Sequence, residues 1–162
     1  MKRFAALIDA LAYEPGRNAK LRLMTGYFAA AGDPSEALGT LWYHDHMHGA
    51  TAANVYKGLT GMFLLFDELD SGNELDPSPM ALRLPSGEYD VPILLTDKVF
   101  DPADGLLYLD TTNTAGVVGD KVLVNGVIQP YFQVARRKYR FRFLNAGPSR
   151  FYQLFLSHGM TF

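Results

Sequence analysis

The amino-acid sequence predicts a mainly β fold, a sandwich or barrel of roughly seven or eight short strands. Segments rich in β-branched and aromatic residues alternate with stretches of Gly, Pro, Asp and Asn that are typical of turns. Asn125-Gly126, the pair preferred in type I′ hairpin turns, joins two such segments. Residues 138–143 alternate between cations and aromatics, which predicts a strand with its aromatics facing a core and its cations facing water.

The predicted elements can be placed in order along the chain. Residues 40–45 are rich in strand formers, and a short helix fits residues 51–57, with Gly58 as its left-handed stop. The apolar run at 61–67 predicts a strand buried on both faces, and residues 90–97 predict the next strand. The other predicted strands are 121–124, 127–128, 138–143 and, after a turn at 145–148, 151–156.

Composition excludes several classes of protein. A hydrophobic fraction of 48% is enough to bury a core and argues against general disorder. The net charge of −2 gives no general attraction to nucleic acid or to an anionic membrane, and the cations of 136–142 fit the solvated face of a strand. The chain has no cysteine, which excludes disulfides, thiolate zinc sites and a blue-copper site with a Cys ligand within this chain.

The domain organisation is predicted from a shift in composition. Residues 68–87 are rich in Asp, Ser, Pro and Gly and form the best linker candidate, so we predict segments 1–78 and 79–162. A short N-terminal helix is predicted from apolar residues at helical spacing, ending at Pro15-Gly16. A secretory signal fits less well, because Asp9 interrupts the apolar stretch and no clear cleavage site follows.

Three of the four histidines, His44, His46 and His48, lie at alternate positions in one pentapeptide. Side chains two apart on a strand point the same way, and neutral imidazole is a common ligand of copper, zinc and iron. Such a pair can bind two adjacent metals, or one metal where the strand bends, but it needs further ligands. On these residues alone, metal binding and a surface role satisfied by water and carbonyls both stay open.

The segment around these histidines resembles the multicopper oxidases of the laccase and bacterial spore-coat type. Residues 40–46, TLWYHDH, are similar to the family's second copper motif, and residues 54–61, NVYKGLTG, are similar to its continuation. Further likeness to the second domain of these enzymes lies at 89–97, 124–126, 130–131 and 137–146. The resemblance covers about 39–156, and it rests on the ordered set of segments, since His-x-His alone is weak.

The resemblance implies a cupredoxin-like Greek-key barrel or sandwich. Residues 1–78 would hold the end of a first cupredoxin domain and 79–162 the start of a second, and the two could complete one compact barrel. His44 and His46 would be the catalytic residues, each binding one copper of the dinuclear part of the cluster that reduces dioxygen to water. His48 is a second-choice metal ligand. Asp45 would point away from the metals, and His158 matches no ligand position.

The family carries four copper motifs, and this chain shows one of them. The cysteine-containing motif of the type 1 copper, which accepts electrons from the substrate, has no counterpart here. We therefore expect a homo-oligomer, for example a trimer, in which His44 and His46 from three copies gather six imidazoles. Unpaired strand edges in each half would favour such association.

Three functional hypotheses stay open on the sequence. The first is a reduced laccase-like enzyme that oxidises phenols or other small reductants with dioxygen, without a type 1 site. The second is a copper-binding protein without turnover, and the third is an inert truncated fragment. The family is often secreted, periplasmic or part of the spore coat, but the chain has no convincing signal peptide, so the sequence assigns no compartment.

Overall fold

The computed structural model describes residues 39–113 and 115–157, and these are mainly β-structure. The predicted N-terminal helix lies outside the described residues. The strands are β1 (Gly39–His44), β2 (Thr60–Leu65), β3 (Asp90–Phe100), β4 (Leu107–Tyr108), β5 (Lys121–Val124), β6 (Val127–Ile128) and β7 (Arg140–Asn145). One α-helix, α1 (Thr51–Tyr56), and a 3₁₀ helix at Gly87–Tyr89 complete the elements of this part of the chain. The mainly β fold class is therefore confirmed.

The strands form two sheets. β1 and β2 make a two-stranded sheet, and the other five strands make a second sheet in the order β4-β3-β5-β6, with β7 also paired to β3. β3 is antiparallel to β5, with Leu95 opposite Val124 and Lys98 opposite Lys121. β3 is thus the central strand of the second sheet, and its residues 95–98 are buried.

The hairpin between β5 and β6 is confirmed at the predicted residues. Asn125 and Gly126 have φ values of 50° and 82°, and positive values at both positions define the type I′ turn. The Asn125 side chain also accepts a hydrogen bond from Leu94 N at 2.8 Å. It donates a second bond to the Pro92 carbonyl at 3.0 Å, so the turn is bound to β3 as well as to its own strands.

The predicted orientation of β7 is wrong. Arg142 is 4% exposed, whereas Phe141 and Phe143 are 40% and 41% exposed, so the cation faces inward and the aromatics outward. The period of two is correct, but the pattern does not say which face the rest of the protein covers. On the outer face the rings contact one another, with Phe132 and Phe141 edge to face at a centroid distance of 6.4 Å.

Two further expectations need correction. Residues 151–156 form no strand, and they lack a ladder with any described strand. β2 lies where the apolar run predicted a strand, but only Phe63 within it is buried, so the strand is half-buried rather than buried on both faces. An apolar run predicts a strand, but it does not show whether one face or both faces of that strand are covered by other elements.

The chain divides into two compact units. The described part of the first contains residues 39–43, 62–91 and 138–140, with Phe63 and Ala81 as its buried apolar side chains. The second contains 44–61, 92–113, 115–137 and 141–157 in its described part, and it buries Tyr56, Leu95, Leu123 and Ala146. The predicted division into domains at residues 78 and 79 stays a prediction.

Candidate metal centre

The two histidines of the motif lie side by side where β1 ends. His44 is the last residue of β1, and residues 45–47 then follow without regular secondary structure before the turn at 48–50. The imidazole rings of His44 and His46 are stacked, with centroids 5.6 Å apart and planes inclined by 28°. The two predicted ligands therefore lie together, on one side of the chain, as the alternation at these positions predicted.

A hydrogen bond fixes the orientation of the His44 ring. Its Nδ1 atom lies 2.7 Å from the backbone carbonyl oxygen of Asp45. Because a carbonyl oxygen only accepts, Nδ1 must carry the proton, and in the neutral ring the Nε2 atom then carries the lone pair. This is the arrangement found in most metal-binding histidines, where the second ring nitrogen donates to a carbonyl or carboxylate.

The Asp45 side chain forms hydrogen bonds with the protein and does not join the two rings as a further ligand. Its Oδ2 atom accepts hydrogen bonds from Met47 N at 3.1 Å and from Asn54 Nδ2 at 2.9 Å. The first bond spans His46, and the second reaches into α1. The carboxylate therefore ties the histidine segment to the helix that follows it.

The helix is placed by its own short-range bonds. Thr51 N and the Thr51 hydroxyl both donate to the Met47 carbonyl at 3.0 Å, which joins the start of α1 to the histidine segment. Gly58 has a φ of 109°, the left-handed region predicted for it, and it turns the chain from α1 into β2. Motif, helix and strand β2 thus form one continuous hydrogen-bonded segment.

The donor set is suited to copper but incomplete. Imidazole nitrogen is a good ligand for copper, and His46 and His48 are exposed, so their rings are accessible. Within residues 39–113 and 115–157, no group of three or more His, Asp or Glu side chains is placed to hold one metal ion. His48 therefore does not complete a three-ligand set with the stacked pair, and its role as a ligand stays a prediction. His158 lies outside the described residues.

Asn54 is a residue of this site that the sequence alone did not single out. Asparagine is unfavourable inside a helix because its side chain competes for backbone hydrogen bonds. Asn54 lies in the middle of the six-residue helix α1, where that cost needs a compensating bond. This position was the signal available in the sequence.

A second polar cluster lies around Asp97 on β3, and the sequence did not reveal it either. Asp97 is fully buried, and its carboxylate accepts bonds from Gly119 N at 2.6 Å, from the Tyr152 hydroxyl at 3.0 Å and from Arg150 Nε at 3.3 Å. A Cβ on Gly119 would overlap the backbone of Asp97 and Lys98, so only glycine allows this approach. The cluster joins three distant segments, and its role is structural.

Lys98, the next residue of β3, is buried on the α1 side of the strand. Its ammonium group donates to the Tyr56 carbonyl and lies 4.6 Å from the centroid of the Tyr56 ring. Burial lowers the pKa of Lys98 from its ordinary value, and the neighbouring Asp97 charge partly opposes that shift. The bond from Lys98 to the Tyr56 carbonyl joins α1 to β3. The hydroxyl of Tyr56 donates to the Tyr108 carbonyl at 2.9 Å, which joins the same helix to β4.

Tyr152 gives the Asp97 cluster a testable dependence on pH. Burial, followed by the hydrogen bond to Asp97, raises the pKa of Tyr152 to about 12. Since the folded-state pKa lies above the ordinary value of 10, the contribution of Tyr152 to stability is fully present below pH 10. It is lost as the pH rises from about 10 to about 12.

We therefore expect the advantage in unfolding free energy of the unmodified chain over Tyr152→Phe to shrink across that alkaline range. Urea unfolding followed by circular dichroism at neutral and alkaline pH measures it. Tyr131→Phe, which removes the phenol of an exposed tyrosine, is the matched control. A difference between the two chains that stays constant with pH would contradict the assignment.

None of the helices within the described residues is long and apolar enough to cross a membrane.

No protein-family profile matches the chain. Known proteins do match it. A laccase of Bacillus subtilis (strain 168) is 38% identical over 141 residues, which is 80% of this chain and 26% of the laccase. A bilirubin oxidase of Albifimbria verrucaria is 42% identical over 120 residues, covering 73% of this chain and 19% of that protein.

Solved structures agree with the sequence relatives. The McoA multicopper oxidase 2F4 variant of the hyperthermophile Aquifex aeolicus matches with a TM-score of 0.58 at 40% identity, over 68% of this chain and 23% of that one. McoA itself matches with a TM-score of 0.56 at 38% identity. The chain therefore spans about a quarter of the length of these relatives. The predicted resemblance and the cupredoxin-like character of the β-structure are confirmed at that extent.

Proposed function

We propose, from the premise that this chain is homologous to a part of the multicopper oxidases, that it binds copper through His44 and His46 and takes part in a laccase-like oxidation. The reaction would oxidise a phenol or another small reductant and reduce dioxygen. A single observation carries the proposal: the His44 and His46 rings are stacked 5.6 Å apart at the end of a strand, in the part of the chain that matches the family.

Copper, when bound, would supply the one-electron steps that connect oxidation of the reductant to reduction of dioxygen. The residues of the chain do the rest. The Asp45 carbonyl holds the proton of His44 on Nδ1, so Nε2 is the nitrogen presented for metal binding. The ring of His46 lies beside that of His44, and the exposure of His46 leaves the site open to a small reductant.

The absence of cysteine shapes the proposal. Without a thiolate, a type 1 copper of the blue-copper kind cannot be built from this chain alone. We therefore propose a reduced form in which the substrate gives its electrons at the histidine-bound copper directly. The division into an end of one cupredoxin domain, 1–78, and a start of another, 79–162, is part of the same proposal.

Two imidazoles are too few for a copper cluster, so the site needs further ligands besides this pair. A homo-oligomer supplies them in the simplest way, because three copies around a threefold axis would bring six imidazoles together. His48, exposed on the same segment, is the next candidate ligand. Closed symmetric assemblies of this kind are common among soluble proteins.

The alternative is a copper-binding protein without turnover. The two-imidazole donor set favours it, because within the described residues no third ligand joins the pair. Copper binding is common to both hypotheses, and only electron transfer to dioxygen separates them.

The test is to reconstitute the chain with copper and to measure copper per chain, molecular mass in solution and oxygen uptake with a phenol. We expect stoichiometric copper, a mass above that of the 18.0 kDa monomer and uptake that depends on the phenol. Copper without oxygen uptake would favour the binding protein. A folded chain that takes up no copper would refute the proposal.

A further inference from the structure

We propose that Asn54 is a positioning residue for the histidine pair and acts on it through Asp45. The inference rests on the proposed copper-binding function of His44 and His46. It adds a residue on another element, the helix α1, that determines how the two rings are presented.

The first link runs through side chains. Asn54 Nδ2 donates to Asp45 Oδ2 at 2.9 Å, and the same oxygen accepts Met47 N at 3.1 Å. An acceptor shared in this way cannot rotate without losing both bonds. The amide of Asn54 therefore holds the carboxylate where it fixes the peptide group that follows His46.

The second link runs through the backbone. The Asn54 carbonyl accepts Leu59 N at 2.9 Å, and the Leu59 carbonyl accepts Asp45 N at 3.0 Å. Asp45 is thus held at its amide and at its carboxylate by two routes that both begin at Asn54. Asn54 is itself fixed in α1, because its backbone N–H donates to the Ala50 carbonyl at 2.9 Å.

The third link reaches the rings. With Asp45 fixed at both ends, its carbonyl is fixed as well, and that carbonyl holds His44 Nδ1 at 2.7 Å. His46 lies between two anchored residues, Asp45 and Met47. Residues that orient a ligand from behind in this manner typically change metal affinity by about 10–100-fold when they are removed.

The experiment uses the full chain with Asn54→Leu, which keeps the approximate shape of the side chain and removes its donor, and with Asn54→Ala. Two quantities are measured: the tautomer of His44 by ¹⁵N NMR of the metal-free protein at alkaline pH, and the affinity for Cu²⁺ by competition with a chelator. We expect a mixed tautomer at His44 and an affinity lowered by about 10–100-fold in both variants.

The control is Asn113→Ala. It removes an asparagine side chain that accepts Ala115 N at 2.9 Å in an exposed loop. A double-mutant cycle with Asp45→Ala tests the route of the effect. If Asn54 acts through Asp45, the losses in affinity from Asn54→Ala and Asp45→Ala will not add, because the second change removes a bond that is already broken.

A purely structural role for Asn54 would lower the unfolding free energy and leave the His44 tautomer and the copper affinity of the folded chain unchanged. That result, or additive losses in the cycle, would overturn the inference. Failure of the unmodified chain to bind Cu²⁺ would refute the proposed function instead. The tautomer measurement would still decide whether Asn54 positions the ring.

Discussion

Replacing His44 and His46 together by alanine is expected to abolish copper binding, with the affinity falling by more than about 100-fold. Loss of a residue that only orients a ligand costs about 10–100-fold, and removal of the ligands themselves must cost more. The two rings are stacked 5.6 Å apart and form the one pair that the described part of the chain brings together in this motif. Elemental analysis of the reconstituted protein measures the copper that is lost, and competition with a chelator measures the affinity.

His158→Ala is the matched control, because it makes the same chemical change at a histidine that matches no ligand position of the family. We expect it to retain its copper. His48→Ala is tested separately. A loss of copper as large as that of the double variant would show that His48 is a ligand, and retained copper would show that it is not. A double variant that keeps its copper while folded would place the metal elsewhere and refute the assignment of the motif.

The sequence predicted those features that depend on neighbouring residues. The β5–β6 hairpin follows from Asn125-Gly126, since both residues tolerate positive φ and the structure places both there. The pairing of His44 with His46 follows from the period of an extended strand, and the end of α1 from Gly58. In each case the cause lies within a few residues of its effect.

The features that were missed depend on contacts between distant segments. Which face of β7 is covered depends on what packs against it, so the alternation could not show that Arg142 would be buried and Phe141 exposed. Asn54 reaches Asp45 only because the turn at 48–50 brings α1 back beside the histidine segment. A polar residue inside a regular element is a hint of such contacts, but it does not name the partner.

The largest expected effect on stability is at Asp97. Asp97→Ala should lower the unfolding free energy by about 1–3 kcal/mol, the usual cost of leaving a buried hydrogen-bond donor without its acceptor. The carboxylate is 0% exposed, and its loss would leave the amide of Gly119 and the hydroxyl of Tyr152 without this acceptor. Arg150 would keep only its bond to the Gly119 carbonyl at 2.7 Å among the bonds described for this cluster.

Urea unfolding followed by circular dichroism measures this change, read from the midpoint at an unchanged dependence on urea. Asp120→Ala is the matched control: Asp120 pairs with Lys121 at 2.6 Å, but its side chain is 64% exposed, so water replaces the lost partner. The two aspartates differ in burial and in their partners, since Asp97 accepts bonds from three residues and Asp120 is paired with its neighbour Lys121. Equal losses at Asp97 and Asp120 would show that the buried cluster does not hold β3, Gly119 and Tyr152 together.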